Sequence, residues 1–222
     1  IVMFILVIYT GFTSDNFFTR NNFMNILMNM SSRLVIALGI AGCVITAGCD
    51  LSAGRMIGFG ACISGMLLQR MDYSGKFFPD MQPLNVFVVA LIAMLVCAAF
   101  GTVTGFFIAY LNVPPFIATL AMMEIVYGIG LIVTNATPLG GYVEQYTNVS
   151  NGKFLGINYL IWIAIIVAAI TWFIFNMTRH GKYMYAIGGN PQAAEVAGVP
   201  VKATLILIYM KAAAMYGLAG FM

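Results

Sequence analysis

Long apolar runs separated by short polar connectors cover most of the chain. The runs lie at residues 1–12, 34–48, 56–68, 84–110, 116–133, 159–175 and 205–222. They are continuous and lack the residue-by-residue alternation of a membrane β-strand, so they predict α-helices. A spanning helix needs about 20 apolar residues. We therefore expect the first and last runs to belong to spans that continue beyond this sequence.

The composition agrees with a membrane protein. Apolar residues make up 62% of the chain and charged residues 8%, against roughly a quarter charged in soluble domains. The expected fold is all-α, a polytopic helical membrane protein forming one domain over residues 1–222. The net charge of +3 gives no sign of nucleic-acid binding. His180 is the single histidine, which argues against a histidine metal site or a Ser-His relay, so we expect neither a metal nor an enzyme.

A polar interruption at residues 48–55 separates two runs that are each short for a span. Asp50, Ser52 and Gly54 are residue types with which a chain leaves helical geometry. The pattern predicts either a broken helix or a tight hairpin. Two roles remain open: the interruption lines a polar pathway, or Asp50 caps a helix that begins near Ala53.

Two further features lie inside the apolar runs. The spacings Gly54-x-x-x-Gly58 and Gly101-x-x-x-Gly105 predict close approach of helix backbones. Glu124 is the one carboxylate well inside a run, and an ionised acid in lipid costs several kcal/mol, with about 2.5–3.5 kcal/mol for Asp on the insertion scale. We expect it to face the bundle, a cavity or a basic partner such as Arg55, either as a pathway residue or as a packing carboxylate.

Basic residues in the connectors suggest an orientation. The loop at 176–204 carries Arg179, Lys182 and Lys202, whereas the loop at 135–158 carries only Lys153. The positive-inside rule therefore predicts that 176–204 is cytoplasmic and 135–158 external. Residues 111–115, with two prolines, then form a tight cytoplasmic turn. Residues 21–32 fit either an amphipathic helix at the interface or a plain connector.

The cytoplasmic loop contains the signals of one short helix. Asn190 suits the N-cap, Pro191 the first helical position, and Gly198 the left-handed residue after the end. A helix of about two turns is barely stable alone in water. We therefore expect it to dock onto a soluble partner.

Three strings resemble one protein family. Residues 50–54 (Asp-Leu-Ser-Ala-Gly), 110–120 (Tyr-Leu-Asn-Val-Pro-Pro-Phe-Ile-Ala-Thr-Leu) and 186–194 (Ala-Ile-Gly-Gly-Asn-Pro-Gln-Ala-Ala) are similar to the membrane permease of bacterial monosaccharide ABC importers, the ribose, xylose and galactose group. The form of residues 50–55 and 78–81 most resembles the galactose/methyl-galactoside permeases.

The resemblance implies a multi-pass protein of the bacterial inner membrane that works as a homodimer with a cytoplasmic ATPase and a periplasmic or lipid-anchored sugar-binding protein. Its short capped helix would be the ATPase-coupling helix, which assigns coupling to Gly189, Asn190, Pro191, Ala193, Ala194, Glu195 and Gly198. An Ala194→Asp change is then expected to abolish ATPase recruitment without affecting folding. The translocation-path candidates are Asp50, Ser52, Gly54, Asn112 and Glu124.

The energy source separates two hypotheses. The chain contains no G-x-x-x-x-G-K-[ST] string, so ATP and Mg²⁺ are expected on the separate ATPase and no cofactor in this chain. The alternative is an ion-coupled secondary transporter of a small polar solute, with the interruption as its substrate site and Glu124 as its proton relay.

Overall fold

Helices make up nearly all of the regular structure. The computed structural model describes residues 2–13 and 17–222, so Ile1 of the first predicted run lies outside it. The described helices are α1 (Val2–Thr13), α2 (Arg20–Ile45), α3 (Ala53–Leu67), α4 (Val86–Tyr110), α5 (Pro115–Thr134), α6 (Glu144–Asn151), α7 (Tyr159–Met177), α8 (Arg179–Gly189), α9 (Pro191–Val196) and α10 (Val201–Phe221). Strands β1 (Lys153–Phe154) and β2 (Ile157–Asn158) form one antiparallel hairpin. The predicted all-α fold is confirmed.

Polar residues mark where the membrane helices begin. The Asn85 side chain accepts a hydrogen bond from the Phe87 backbone N–H at 2.9 Å, and Asn158 accepts one from Leu160 at 2.8 Å. Each satisfies an N–H that has no partner within its own helix. Pro115 begins α5, where its missing N–H costs nothing.

Helix α10 lies at the centre of the bundle and packs against α4, α3 and α2. A Cβ at Gly101 or Gly105 of α4 would meet the α10 backbone at Tyr209 or Ile206, whereas one at Gly217 would meet Ala93 near the other end of α4. This order makes α4 and α10 antiparallel. The glycine spacing at 101–105 therefore allows the close approach of helix backbones that the sequence predicts.

Five described helices are long and apolar enough to cross a membrane: α2, α4, α5, α7 and α10. Their ends define two sides of the bundle. The α9 side contains the end of α2, the turn at 111–114 and residues 178–200. The α6 side contains residues 68–85 and 135–158. The Lys202 ammonium lies 5.2 Å from the Tyr110 ring centroid, so the 111–115 turn shares a side with the 176–204 loop, as predicted.

Several boundaries differ from the sequence-based expectation. Helix α2 begins at Arg20 rather than near residue 34, so residues 21–32 are neither a separate interfacial helix nor a connector but the first half of a 26-residue helix. The polarity of this half conceals its continuity with the apolar half. Helices α6 and α8 and the β-hairpin are additional elements inside predicted loops, and α10 begins at Val201 because Pro200 directly precedes it.

Candidate translocation and coupling site

The interruption is a reversal of the chain rather than a break in one helix. Helix α3 runs towards the α6 side, where the Leu68 carbonyl accepts the Val143 N–H at 2.9 Å, whereas α2 runs towards the α9 side. The Cys97 thiol, near the middle of α4, lies 3.7 Å from the Met56 carbonyl in the first turn of α3. Helix α3 therefore begins half-way along α4, and the turn at 46–52 lies inside the bundle. The chain therefore reverses its direction, as in the hairpin alternative, but it does so inside the bundle, and both helices pack against α10.

Asp50 organises this turn through three hydrogen bonds. One carboxylate oxygen accepts from the Ser52 N–H at 2.9 Å and from the Ser52 hydroxyl at 2.6 Å. The other accepts from the Tyr216 hydroxyl at 3.1 Å. The N-cap position belongs to Ser52, which is 2% exposed. Asp50 therefore holds the capping residue rather than capping α3 itself.

Two tyrosines of α10 fix the turn from the other side. Besides the Tyr216 bond, the Tyr209 hydroxyl donates to the Cys49 carbonyl at 3.3 Å. A Cβ at Gly48 would stand 2.6 Å from the Tyr209 hydroxyl oxygen, so a larger residue there would displace that hydroxyl. Sequence reasoning missed both tyrosines, although they lie seven residues apart in an apolar span and a buried tyrosine hydroxyl needs a partner.

Helix α8 contacts the chain immediately before the turn. A Cβ at Gly188 would lie 1.9 Å from the Ile45 carbonyl oxygen, at the last residue of α2. The backbones of the two helix ends are therefore in direct contact. Because Gly188 precedes α9 by only three residues, a short connection links α9 to the end of α2, directly before the Asp50 turn.

Helix α9 has the predicted caps. The Asn190 side-chain oxygen accepts the Ala193 N–H at 3.0 Å, Pro191 opens the helix, and Gly198 follows it with φ +83°. The Gly198 N–H then donates to the Glu195 carbonyl at 3.0 Å. The prediction of this helix is confirmed, whereas the coupling role of Gly189, Asn190 and their neighbours stays a prediction.

One residue assigned to docking does not face outwards. Ala194 is only 4% exposed, so an aspartate there would disturb folding, contrary to what the sequence suggested. Val196 is instead 91% exposed, while Ala193 and Glu195 are also exposed. Sequence reasoning did not single out Val196, the apolar residue that α9 presents outwards.

Two of the remaining path candidates, Gly54 and Glu124, lie on the outward surfaces of α3 and α5. The Arg55 guanidinium carbon lies 3.8 Å from the centroid of the Tyr127 ring. Glu124, half-way along α5, is exposed, so the alternative in which it faces the interior of this bundle is wrong. The alternative of a cavity stays a prediction. Within residues 2–13 and 17–222 no ion pair joins Glu124 to Arg55. A cavity of about 190 Å³ opens on this surface beside Gly54 and Gly58.

Asn112 is separate from the other path candidates. It is exposed in the turn between α4 and α5, with a left-handed φ of +51°, a conformation that asparagine tolerates better than most residues. The Val113 N–H donates back to the Phe107 carbonyl at 3.2 Å. Asn112 therefore lies at the α9 end of the bundle, where it helps to form the turn between α4 and α5.

His180 and Lys211 form a second polar cluster between α7, α8 and α10. The imidazole Nε2 of His180 is buried and has no hydrogen-bond partner among the residues that the structure describes. Burial, together with the nearby Lys211 charge, lowers the pKa of His180 from 6.5 to about 4. The imidazole is therefore neutral at neutral pH.

Five membrane-length helices in the described chain, one of which is the central α10, define a multi-pass helical membrane protein. Its polar chain reversal inside the bundle and its capped helix with an exposed apolar residue are features expected of a transport subunit. Residues 22–222 match the family described as branched-chain amino acid transport system, permease component. The chain belongs to this permease family.

Similar proteins narrow the relationship. The chain is 40% identical over 229 residues to a galactose/methyl galactoside import permease protein of Escherichia coli strain K12, covering 100% of this chain and 68% of that protein. The corresponding permease of Haemophilus influenzae is 41% identical over 231 residues, covering 100% and 69%. A ribose import permease protein of Escherichia coli K12 is 31% identical over 224 residues, covering 99% and 66%. No solved structure matches the chain.

Proposed function

We propose that this chain is the membrane permease of an ATP-driven importer for a monosaccharide, galactose or methyl galactoside, in a bacterial inner membrane. The two relatives at 40% and 41% identity are named for import of this substrate. In this proposal the chain hydrolyses no ATP itself. It works as a homodimer with a cytoplasmic ATPase, which binds ATP and Mg²⁺, and with an external sugar-binding protein.

Helix α9 is the observation that carries the proposal. It is a short helix with complete caps, it presents Val196 outwards at 91% exposure, and it is joined to the Asp50 turn through the Gly188–Ile45 contact. A partner that moves α9 would therefore move the chain reversal inside the bundle. This arrangement favours energy supplied by another subunit, as does membership of a family of permease components, over the ion-coupled secondary transporter.

The orientation follows from α9 rather than from charge. Residues 68–85 lie on the α6 side, so the connectors of that side contain three basic residues, Arg70, Lys76 and Lys153. The α9 side also has three basic residues. The positive-inside rule therefore does not separate the two sides. Docking of α9 to an ATPase places the α9 side in the cytoplasm.

The test is reconstitution of the full-length permease with its ATPase and sugar-binding protein in proteoliposomes. We expect ATP-dependent uptake of galactose that survives dissipation of ion gradients. Uptake that needs a proton gradient but no ATP would refute the proposal.

Val196→Asp tests the docking surface. Burying a valine side chain stabilises a contact by about 1.5–3 kcal/mol, so the variant should bind the ATPase at least about tenfold more weakly. Leu155→Asp is the matched control, because Leu155 is also apolar, 79% exposed and on the α6 side, with a left-handed φ of +53° that aspartate tolerates. Equal ATPase capture by both variants would contradict docking through α9.

A further inference from the structure

The outward surface of α3 and α5, which we call the α3–α5 face, consists of Gly54, Arg55, Gly58, Glu124 and Tyr127. It differs from the other outward surfaces of the bundle. Helices α4 and α7 expose apolar side chains, including Phe87, Leu91, Leu95, Ile166, Ile170 and Phe173. The α3–α5 face instead exposes one acidic residue, Glu124, and one basic residue, Arg55, near the middle of the membrane-spanning bundle. An ionised side chain there is costly in lipid, so this face lies against protein or water.

Glycines in the membrane helices give a second and independent contrast. Those in the core touch another helix, since a Cβ at Gly60 would be 2.9 Å from the Gly217 carbonyl and one at Gly101 would be 2.4 Å from that of Tyr209. A Cβ at Gly54, Gly58 or Gly128 would meet nothing within 4 Å in the described chain. Packing inside this chain therefore does not explain the small residues of the α3–α5 face, which keep the space in front of it open.

We propose that the α3–α5 face is a sugar-contact site half-way along the translocation path, with Arg55, Tyr127 and Glu124 as its recognising groups and a second copy of the chain as its opposite wall. The proposal rests on the proposed function and specifies where in the chain the sugar is met. Neither Arg55 nor Tyr127 was a path candidate from the sequence.

The three side chains provide complementary hydrogen bonding for a monosaccharide. The Arg55 guanidinium only donates and an ionised Glu124 only accepts, whereas each sugar hydroxyl does both. Tyr127 holds the guanidinium over its ring at 3.8 Å, which fixes the direction of the donors. Glu124 is exposed and lies one helical turn before Tyr127 on the same helix, so its carboxylate is at the edge of the face that carries the guanidinium.

The space is of suitable size only when it is closed from the other side. The cavity beside Arg55 and Tyr127 holds about 190 Å³ and is open outwards. Two such cavities facing each other across a two-fold axis would enclose twice this volume, within the roughly 300–1,000 Å³ of small-molecule sites. A site of this kind is incomplete in one copy.

The position of Arg55 also connects the site to the turn. Arg55 is the third residue of α3 and comes three residues after Ser52, whose hydroxyl donates to Asp50. Asp50 in turn accepts a hydrogen bond from Tyr216 of α10. A shift of the turn therefore moves the guanidinium relative to Glu124 on α5. The contact site would open and close with the movement that releases the sugar.

The experiment measures galactose transported per ATP hydrolysed in the reconstituted full-length complex. Glu124→Gln removes the carboxylate acceptor, and Gly58→Leu places a bulky side chain in the open space, where a Cβ meets nothing within 4 Å. We expect each to lower transport per ATP at least tenfold, while assembly with the ATPase and the stimulation of its activity by the sugar-binding protein stay at wild-type levels. Glu124→Asp should restore part of the transport.

Phe87→Leu, on the outward surface of α4, is the control and should transport as the wild type does. Wild-type transport per ATP in both Glu124→Gln and Gly58→Leu would overturn the inference while leaving the proposed function intact. Loss of complex assembly in step with loss of transport would also overturn it, by making Glu124 an assembly residue. A wild-type complex that transports no sugar would refute the proposed function and the inference together.

Discussion

The contact between α4 and α10 can be tested by comparing one substitution at two glycines. In Gly101→Ala the new methyl carbon would lie 2.4 Å from the Tyr209 carbonyl oxygen and 2.5 Å from the Ala213 Cβ. Carbon atoms pack best at about 3.5–4.0 Å, so the two helices must separate by about 1 Å. Overpacking of this kind costs about 1–3 kcal/mol. In Gly58→Ala the methyl carbon meets nothing within 4 Å.

Both changes gain the same helix propensity, about 1 kcal/mol for glycine to alanine. The difference in unfolding free energy between the two variants therefore isolates the packing cost. Gly101→Ala should be less stable than Gly58→Ala by about 1–3 kcal/mol. The assay is unfolding of the purified protein by increasing sodium dodecyl sulfate in mixed micelles, followed by circular dichroism. Equal unfolding midpoints would refute the close α4–α10 contact.

Three further predictions concern the turn, the coupling helix and pH. Tyr216→Phe removes a donor to the Asp50 carboxylate and should lower the unfolding free energy by about 1.5–3 kcal/mol in the same titration; an unchanged midpoint would contradict that bond. Asn190→Ala removes the α9 cap, worth about 0.5–2 kcal/mol, and should speed amide exchange within α9 while other helices keep their rates; uniform exchange changes would contradict a local cap. Burial and the Lys211 charge lower the pKa of His180 from 6.5 to about 4, so between these pH values the unfolded state binds more protons than the folded state. The unfolding free energy should therefore fall as the pH falls from about 6.5 to 4. His180→Asn should make this pH dependence shallower, and an unchanged slope would contradict the assignment.

Local signals were predictable from the sequence and tertiary ones were not. Asn190, Pro191 and Gly198 specify α9 because a cap depends only on residues within one turn. The burial of Ala194 depends instead on what α9 packs against, so its sequence position gave no sign of it. An aspartate at that position is therefore a test of folding and not of docking.

The two glycine spacings show the same limit. Gly101-x-x-x-Gly105 and Gly54-x-x-x-Gly58 are equivalent as patterns, yet the first is pressed against α10 and the second faces open space. The pattern indicates that another element can approach the helix backbone closely, but it does not identify that element. Likewise, the position of Glu124 in an apolar run predicts only that its carboxylate avoids lipid. The packing of α5 is needed to show that the carboxylate is exposed and forms no ion pair within the described chain.

The contacts around the turn decide how a push on α9 would be transmitted. At Gly188 the backbones of α8 and α2 touch, with no side chain between them to absorb a displacement. Beyond that contact, Tyr209 and Tyr216 hold the turn to α10 at Cys49 and Asp50. Because buried, close-packed contacts transmit strain rather than deform continuously, a push at Gly188 must shift either the turn or α10. Both are joined to α3, so either response reaches Arg55 and the open side of the bundle.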